Sequence, residues 1–231
     1  MTTAQSLMEM YEAMRARFGH QGWWPVAEGS RAGERALEIC IGAILTQNTN
    51  WKNVEKAIAN LKANGCIRVA ALHAKSHREL AELIRPAGYF NVKARRLKNF
   101  IAHVHEFRDG DIEAFLDRSV ETLREELLSI NGVGRETADS IILYAAGKPS
   151  FVVDAYTHRI LVRHGLVAPQ DDYETIKDLF ESALPQDTAL WNDFHAQLVS
   201  TGKNFCKPTA RCAGCPLEPL NHDPDAGRES Y

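Results

Sequence analysis

Two glycines in a tight turn between two predicted helices could bind an anion. The segment Leu127 to Asp139 places Gly132 and Gly134 in a Gly-x-Gly turn. Because glycine lacks a Cβ atom, the backbone here can come close to a ligand, and the helix that follows presents unpaired N–H groups and the positive end of its dipole. A DNA phosphate would fit this turn. A plain αα-hairpin that only joins two helices is the alternative.

Asp154 is the acidic residue best placed for chemistry. It ends an apolar triplet, Phe151 to Val153, and opens the next predicted helix. Asp is a favoured N-cap, so a purely structural role would account for it. An aspartate that caps a helix can also take part in chemistry. The two roles are compatible.

Three of the five cysteines could bind a metal. Cys206, Cys212 and Cys215 lie within ten residues, whereas Cys40 and Cys66 are isolated. In a reducing compartment such a cluster indicates a metal site more than a disulfide.

The composition limits the classes of protein to which the chain can belong. The chain has 231 residues, of which 45% are hydrophobic and 25% charged, and its formal net charge is −3. These values exclude disordered, collagen-like and small disulfide-rich chains. Because the sequence has neither a long apolar run nor the apolar centre of a signal peptide, we expect a cytoplasmic protein without a membrane partner.

The apolar residues predict the fold class. They recur at helical spacing along most of the chain, as at Leu37, Ile41 and Ile44, which predicts an all-α fold. Segments rich in Gly, Pro, Asn and Asp separate the predicted helices, one of which runs over 135–146.

The hairpin and Asp154 together resemble the helix-hairpin-helix, Gly/Pro-rich loop and Asp signature of the endonuclease III superfamily of DNA glycosylases. Further segments resemble elements of that family in the same order. Leu45 to Thr49 is similar to an early turn whose Gln enters the gap left by an extruded base. Gly88 to Leu97 is similar to a Gly-aromatic-aromatic-x-x-Lys-Ala element, and Gly202 to Cys206 resembles the entry to an iron-sulfur loop.

The resemblance implies two α-helical lobes with a DNA-binding cleft between them. One would be a six-helix lobe of residues 35–149 that contains the hairpin, and the other would join residues 1–34 to 150–231. The partner would be double-stranded DNA with a damaged base, bound by a monomer. The DNA contacts would come from Gln47, Asn48, Gly132, Gly134, Arg135 and Thr137.

Glu136 departs from the pattern of the bifunctional family members. They place a lysine directly after the Gly-Val-Gly-Arg of the hairpin, and its amine attacks C1′ and cleaves the strand through a Schiff base. A carboxylate cannot form that imine, so we expect a monofunctional glycosylase without efficient lyase activity. Asp154 and Glu136 are the candidate catalytic residues, although an acid in the first turn of a helix is equally explained by the helix dipole.

Glu136, Tyr156 and the segment Trp23-Trp24-Pro25 most resemble the bacterial 3-methyladenine glycosylases of the endonuclease III type. A purine alkylated at N3 carries positive charge and departs without a proton. Ionised Asp154 would therefore need only to stabilise the oxocarbenium ion or to activate water.

An extruded cationic base also needs flat aromatic walls. Trp23, Trp24 and Trp51 are the candidates for this base pocket, and ordinary core packing is the alternative.

The family's 4Fe-4S loop uses four cysteines, and this chain has Asn221 where the fourth is expected. His222 follows, and histidine replaces cysteine at some iron-sulfur centres. The resemblance thus implies a 4Fe-4S cluster on Cys206, Cys212, Cys215 and His222. A zinc site on the same residues and a loop without metal are the alternatives.

Three other functions are compatible with the sequence. A glycosylase for oxidised pyrimidines or mismatched thymine would keep Asp154 and alter the base pocket. A non-catalytic iron-sulfur DNA-binding module would use the hairpin for phosphate and would not depend on Asp154. A helical protein whose hairpin packs against another protein would not bind DNA.

Overall fold

The computed structural model describes residues 2–26 and 32–227, except for the side chains at positions 107 and 108. These residues form helices and connecting segments without a β-strand, so the predicted all-α fold is confirmed. The chain divides into two compact units, which we call the terminal unit (residues 1–23 with 149–231) and the hairpin unit (24–148). No helix within the described ranges has the length and apolar character needed to cross a membrane. The lobe boundaries expected from the resemblance stay a prediction.

The described part of the hairpin unit contains eight α-helices and two shorter helical turns. The α-helices are α2 (Ala32–Leu45), α3 (Trp51–Ala63), α4 (Val69–Ala74), α5 (His77–Leu83), α6 (Phe90–Arg108), α7 (Ile112–Leu116), α8 (Val120–Ser129) and α9 (Arg135–Ser140). A 3₁₀ turn spans Arg85–Ala87, and a π-helical turn over Ile141–Ala145 continues α9. The helix predicted over 135–146 is thus α9 with a wider last turn.

Helix α2 is the centre of the hairpin unit. Every residue from Ala36 to Leu45 is buried, and α2 packs against α3, α6, α7 and the π-helical turn. This stretch is apolar except for Glu38, whose Oε1 lies 2.7 Å from Nζ of Lys62, and a helix of this kind is stable only when it is surrounded by other elements. The C-terminal end of α2 therefore has a fixed position, and the turn that contains Gln47 begins there.

The terminal unit joins an N-terminal helix to three helices from the second half of the chain. They are α1 (Thr3–Phe18), α10 (Ala155–Arg163), α11 (Tyr173–Ala183) and α12 (Thr188–Asn204). Helix α12 packs against α1 and α10. Its buried Asp193 accepts hydrogen bonds from Oη of Tyr11 at 3.0 Å and from the backbone N–H of Gln21 at 2.8 Å. The bond from Tyr11 attaches α1 to α12, and the bond from Gln21 attaches the segment that follows α1.

Candidate functional site

The two glycines of the hairpin have different structural roles. Gly132 has φ +101°, in the region that favours glycine, and a Cβ atom placed on it would lie 2.9 Å from Cβ of Arg96. Gly134 is the N-cap of α9 with φ −95°. A Cβ atom placed on Gly134 would have no described atom within 4 Å apart from those of its chain neighbours. The turn therefore requires glycine at position 132, whereas position 134 exposes backbone to a ligand.

Gln47 is attached to the hairpin by its side chain. Its Nε2 donates to Oγ1 of Thr137 at 2.8 Å and to the carbonyl oxygen of Gly132 at 3.3 Å. Its Oε1 accepts a hydrogen bond from the guanidinium of Arg96. The next residue, Asn48, is exposed and has φ +53°. The structure thus brings Gln47, Gly132 and Thr137 together, as a shared DNA-contacting surface would require.

The other predicted residues of the hairpin lie at the start of α9. Arg135 and Glu136 are exposed in its first turn, whereas Thr137 is buried, with a relative exposure of 5%. The Glu136 side chain is therefore accessible to a ligand, whereas the Thr137 side chain is covered and bonded to Gln47.

Sequence reasoning missed a buried lysine below this surface. Lys93 is 1% exposed, and its Nζ donates to the carbonyl oxygens of Leu45 at 2.7 Å and Ala87 at 2.8 Å. Oγ1 of Thr49 donates to the same Ala87 oxygen at 2.8 Å. Burial, with the nearby charge of Arg96, lowers the pKa of Lys93 to about 8. Lys93 thus binds the start of the turn that contains Gln47, and Thr49 at the end of that turn shares the Ala87 oxygen with it. The place of Lys93 in the Gly88 to Leu97 element was the only sequence signal.

Asp154 is the N-cap of α10, as its position in the sequence indicated. Its Oδ1 accepts hydrogen bonds from the backbone N–H of Thr157 at 2.7 Å and from Oγ1 of Thr157 at 2.9 Å. Its Oδ2 lies 3.7 Å from Nε2 of His195. Burial alone would raise the pKa of Asp154, but His195 and Thr157 together hold it below its usual value of 3.8. The carboxylate is therefore ionised at neutral pH.

Trp23 lies against His195, and Lys203 interacts with both Trp23 and Asp154. The ring of Trp23 lies edge-on to His195, with centroids 6.0 Å apart, and Nζ of Lys203 lies 5.7 Å from the centroid of the Trp23 ring. Burial lowers the pKa of Lys203, and the charge of Asp154 opposes that change. The terminal unit thus brings an acid, two bases and an aromatic ring together, and neither His195 nor Lys203 was singled out from the sequence.

The other two candidate tryptophans lie in the hairpin unit. Trp24 is 7% exposed and packs against Gly42 and Tyr144. Trp51 is partly exposed, lies edge-on to Trp24 at 5.1 Å and donates from Nε1 to Glu55 at 2.9 Å. Trp24 therefore supports Trp51 from inside the unit, and Trp51 offers accessible ring surface.

The three clustered cysteines line one pocket with His222. Sγ of Cys206 accepts a hydrogen bond from Nη1 of the buried Arg163 at 3.2 Å. Burial raises the pKa of Cys215, and the neighbouring Cys206 and Cys212 raise it further. Cys206 and Cys212 therefore lie close enough to Cys215 to influence its ionisation.

This donor set fits a metal only in part. Thiolates are the ligands that iron-sulfur clusters and zinc prefer, but position 221 carries an asparagine. The main-chain carbonyl oxygen of Asn221 lies 3.0 Å from Nδ1 of His164. Nδ1 of His222 lies 2.8 Å from the carbonyl oxygen of Leu220. Within residues 2–26 and 32–227, no three His, Cys, Asp or Glu side chains are arranged to hold a metal ion. The loop supplies thiols without a complete ligating arrangement.

Known proteins resemble this chain over most of its length. The family described as HhH-GPD superfamily base excision DNA repair protein matches residues 41–186. A protein of Methanocaldococcus jannaschii that carries the provisional name DNA repair glycosylase is 44% identical over 215 residues, which cover 93% of this chain and 94% of that protein. Endonuclease III of Thermotoga maritima is 32% identical over 80% of this chain and 81% of its own.

A solved structure extends this similarity. The 3-methyladenine DNA glycosylase MagIII of H. pylori, bound to 1,N6-ethenoadenine, superimposes with a TM-score of 0.75 at 27% identity. The match covers 88% of this chain and 98% of that one.

Proposed function

The chain belongs to the HhH-GPD superfamily of base excision DNA repair proteins, and from that premise we propose that this DNA glycosylase removes alkylated purines, such as 3-methyladenine, from double-stranded DNA. The observation that carries the proposal is the ionised, largely buried carboxylate of Asp154 at the start of α10. The similarity to a 3-methyladenine glycosylase over nearly the whole of that protein supports the choice of substrate.

The chemistry needs little more than this carboxylate. An N3-alkylated purine is already cationic, so the N-glycosidic bond breaks and its electron pair leaves with the base without protonation. Asp154 stabilises the positive charge that develops on the sugar, because an ionised group in a largely dry site acts strongly on a nearby charge. Water then bonds to C1′, and Asp154 accepts the proton that the water loses.

Glu136 supports a monofunctional reaction. It is exposed in the first turn of α9, and its carboxylate cannot form the imine from which strand cleavage would follow. Lys203 interacts electrostatically with Asp154 and is the amine to test as an alternative nucleophile. Borohydride trapping of wild type and Lys203→Gln on duplexes with an abasic site decides the matter. We expect no covalent adduct, and an adduct that Lys203→Gln abolishes would contradict the monofunctional assignment.

Trp51 is the best candidate for a wall of the base pocket. Its accessible ring can stack on an electron-poor, cationic purine, and Trp24 supports it from below. Trp23 is the corresponding candidate in the terminal unit, where it contacts His195.

The hairpin is the proposed phosphate-binding element. Its open backbone at Gly134 and the exposed Arg135 suit a DNA phosphate, and Gln47 and Asn48 would contact the duplex beside it. Each phosphate contact releases counterions, so the affinity for duplex DNA should fall steeply as salt is raised. An affinity that does not respond to salt would contradict this interface.

The deciding experiment measures the bases released from methylated duplex DNA. We expect wild type to release 3-methyladenine and to leave the strands intact without added alkali, and Asp154→Asn to release none. Asn is as good an N-cap as Asp, so this variant keeps α10 while it loses the charge. Asp172→Asn is the matched control, because Asp172 caps α11 through Thr175 as Asp154 caps α10 through Thr157.

A glycosylase for oxidised pyrimidines or mismatched thymine is the second candidate. The identity of 32% to an endonuclease III favours it. Duplexes that carry these lesions, incubated with the same three proteins, separate the two candidates. Unchanged activity in Asp154→Asn on every duplex would instead indicate that Asp154 has no catalytic role.

We also propose a 4Fe-4S cluster as the first metal centre to test at the Cys loop. Cys206, Cys212 and Cys215 would supply thiolates, and His222 lines the same pocket. Iron, zinc and sulfide analysis of freshly purified protein, together with its visible absorption spectrum, tests this. Protein free of iron and zinc would show that the loop is stable without metal.

A further inference from the structure

A histidine that the sequence did not single out faces the proposed catalytic carboxylate. His195 lies in the middle of α12, its side chain is 6% exposed, and its Nε2 lies 3.7 Å from Oδ2 of Asp154. The two residues are far apart in the sequence and meet because α10 packs against α12.

We propose that His195 is a positioning residue for Asp154, and that it orients the carboxylate oxygen Oδ2 for the reaction. This inference rests on the proposed function, because it assumes that Asp154 acts on the sugar. It adds a residue whose role is distinct from capping a helix or filling the core.

The hydrogen bonds of Asp154 show why His195 acts on the relevant oxygen. Oδ1 is occupied by two donors from Thr157, so it serves the helix cap. Oδ2 makes neither of these capping bonds and is the oxygen that can face a substrate. Because His195 lies beside Oδ2, it can restrict rotation of the carboxylate about its last side-chain bond.

The electrostatics of the site agree with this role. Burial opposes ionisation of Asp154, and His195 is the strongest influence that favours it, followed by Thr157. Lys203 is the other titratable side chain that interacts with Asp154 in the described structure. Three other charged or titratable groups of the packed elements face different partners. Tyr11 and His20 face Asp193, and Arg159 lies over Tyr156 and donates to the carbonyl oxygen of Cys206.

The surroundings of His195 hold its ring in place. Trp23 lies edge-on to the imidazole, and the chain beside Trp23 is attached to α12 through the bond from Gln21 to Asp193. A ring fixed in this way can hold a carboxylate more accurately than a mobile surface side chain, and displacement of a reacting group by about 1 Å can cost about a hundredfold in rate.

The test compares wild type, His195→Gln and a control over a range of pH. His103→Gln is the control, because His103 also lies beside a carboxylate, 2.9 Å from Oε1 of Glu126, but in the hairpin unit. Single-turnover rates of base release and dissociation constants for lesion-containing duplex are measured for each protein.

We expect His195→Gln to slow base release about tenfold or more at neutral pH with little change in DNA affinity, since only the reacting carboxylate is disturbed. The acid limb of its pH–rate profile should also move to higher pH. Burial raises the pKa of Asp154, and without His195 this effect is less strongly opposed. A variant with the wild-type rate and profile, or one whose loss is equal at every pH and follows a lower melting temperature, would overturn the proposal.

A second measurement separates this inference from the proposed function. If wild type releases no base from any lesion, the proposed function fails, and the Asp154 carboxyl can still be titrated by ¹³C NMR. An upward move of its pKa in His195→Gln, absent in His103→Gln, would support the positioning role. An unchanged titration would overturn it.

Discussion

Nε2 of Gln47 donates a hydrogen bond of 2.8 Å to Oγ1 of Thr137, which joins the turn after α2 to the first turn of α9. Gln47 also bonds to the carbonyl oxygen of Gly132 and to Arg96. Gln47, Gly132 and Thr137 are therefore connected by hydrogen bonds, and we expect a substitution at one of them to affect the others.

The first prediction concerns the coupling between Gln47 and Thr137. Gln47→Ala and Thr137→Val should each lower the free energy of unfolding by about 1 kcal/mol, because each removes the same partly buried hydrogen bond. The double variant should lose less than the sum, with a coupling energy of at least about 0.5 kcal/mol. Denaturant unfolding of the four proteins measures the cycle, and strictly additive losses would contradict the connection.

The two hairpin glycines should respond differently to alanine. Gly132→Ala should lower the free energy of unfolding by about 2 kcal/mol or more, because it combines a positive φ with a Cβ 2.9 Å from Cβ of Arg96. Gly134→Ala should remain within about 1 kcal/mol of wild type, since it alters only a helix cap. Thermal and denaturant unfolding test both variants.

Gly134→Ala then isolates the contact with DNA. Its added methyl group stands where the backbone would approach a phosphate, so we expect duplex affinity to fall about tenfold, the equivalent of about 1.4 kcal/mol. Fluorescence anisotropy at fixed salt measures this. Full affinity in a folded Gly134→Ala protein would place the phosphate elsewhere.

The buried Lys93 should make stability depend on pH. Its folded pKa of about 8 lies below the usual 10.5, so the unfolded chain binds more protons between these values, and stability rises with pH in that window. The methionine of Lys93→Met does not titrate. Relative to that variant, the free energy of unfolding of wild type should rise by as much as about 3 kcal/mol from pH 8 to 10.5. The difference in unfolding free energy between the two proteins is the measurement.

A matched control distinguishes titration of Lys93 from the loss of its hydrogen bonds. Nζ of Lys98 also donates to two main-chain oxygens, those of His73 and Lys75, but its side chain is only half-buried. Lys98→Met therefore reports how much the free energy of unfolding falls when a similar pair of hydrogen bonds is lost. A difference between wild type and Lys93→Met that stays constant across the window would refute the prediction.

Gly202 should be intolerant of alanine although it lies in a helix. A Cβ on Gly202 would lie 2.6 Å from Cβ of Tyr156, two residues after Asp154. The clash should outweigh the gain of about 1 kcal/mol that alanine brings to a helix, and it should displace the start of α10. We expect lower thermal stability and a larger loss of base release.

Gly33→Ala is the control for this substitution. Gly33 also lies in a helix, but its Cβ would meet only the end of the flexible Glu113 side chain at 3.2 Å. A Gly202→Ala protein as stable and as active as Gly33→Ala would show that α10 and α12 can separate without cost.

The sequence by itself determined the features that depend on neighbours along the chain. Helical spacing of apolar residues predicted the all-α fold, because a helix buries one face at a period of 3.6 residues. The sequence also predicted the Gly-x-Gly turn between α8 and α9 and the N-cap at Asp154, because turns and caps are made by residues a few positions apart. The order of these motifs also indicated the family.

Only the tertiary structure decided which distant side chains meet. His195 beside Asp154, Lys93 beneath the Gln47 turn and Gln47 on Thr137 join residues that no local period relates. Burial changed their chemistry as well, because removal from water alters the cost of charge by an amount that depends on the partners present. For this reason the sequence could identify Asp154 as a candidate catalytic carboxylate, whereas the packing of α10 on α12 decides which side chains surround that carboxylate.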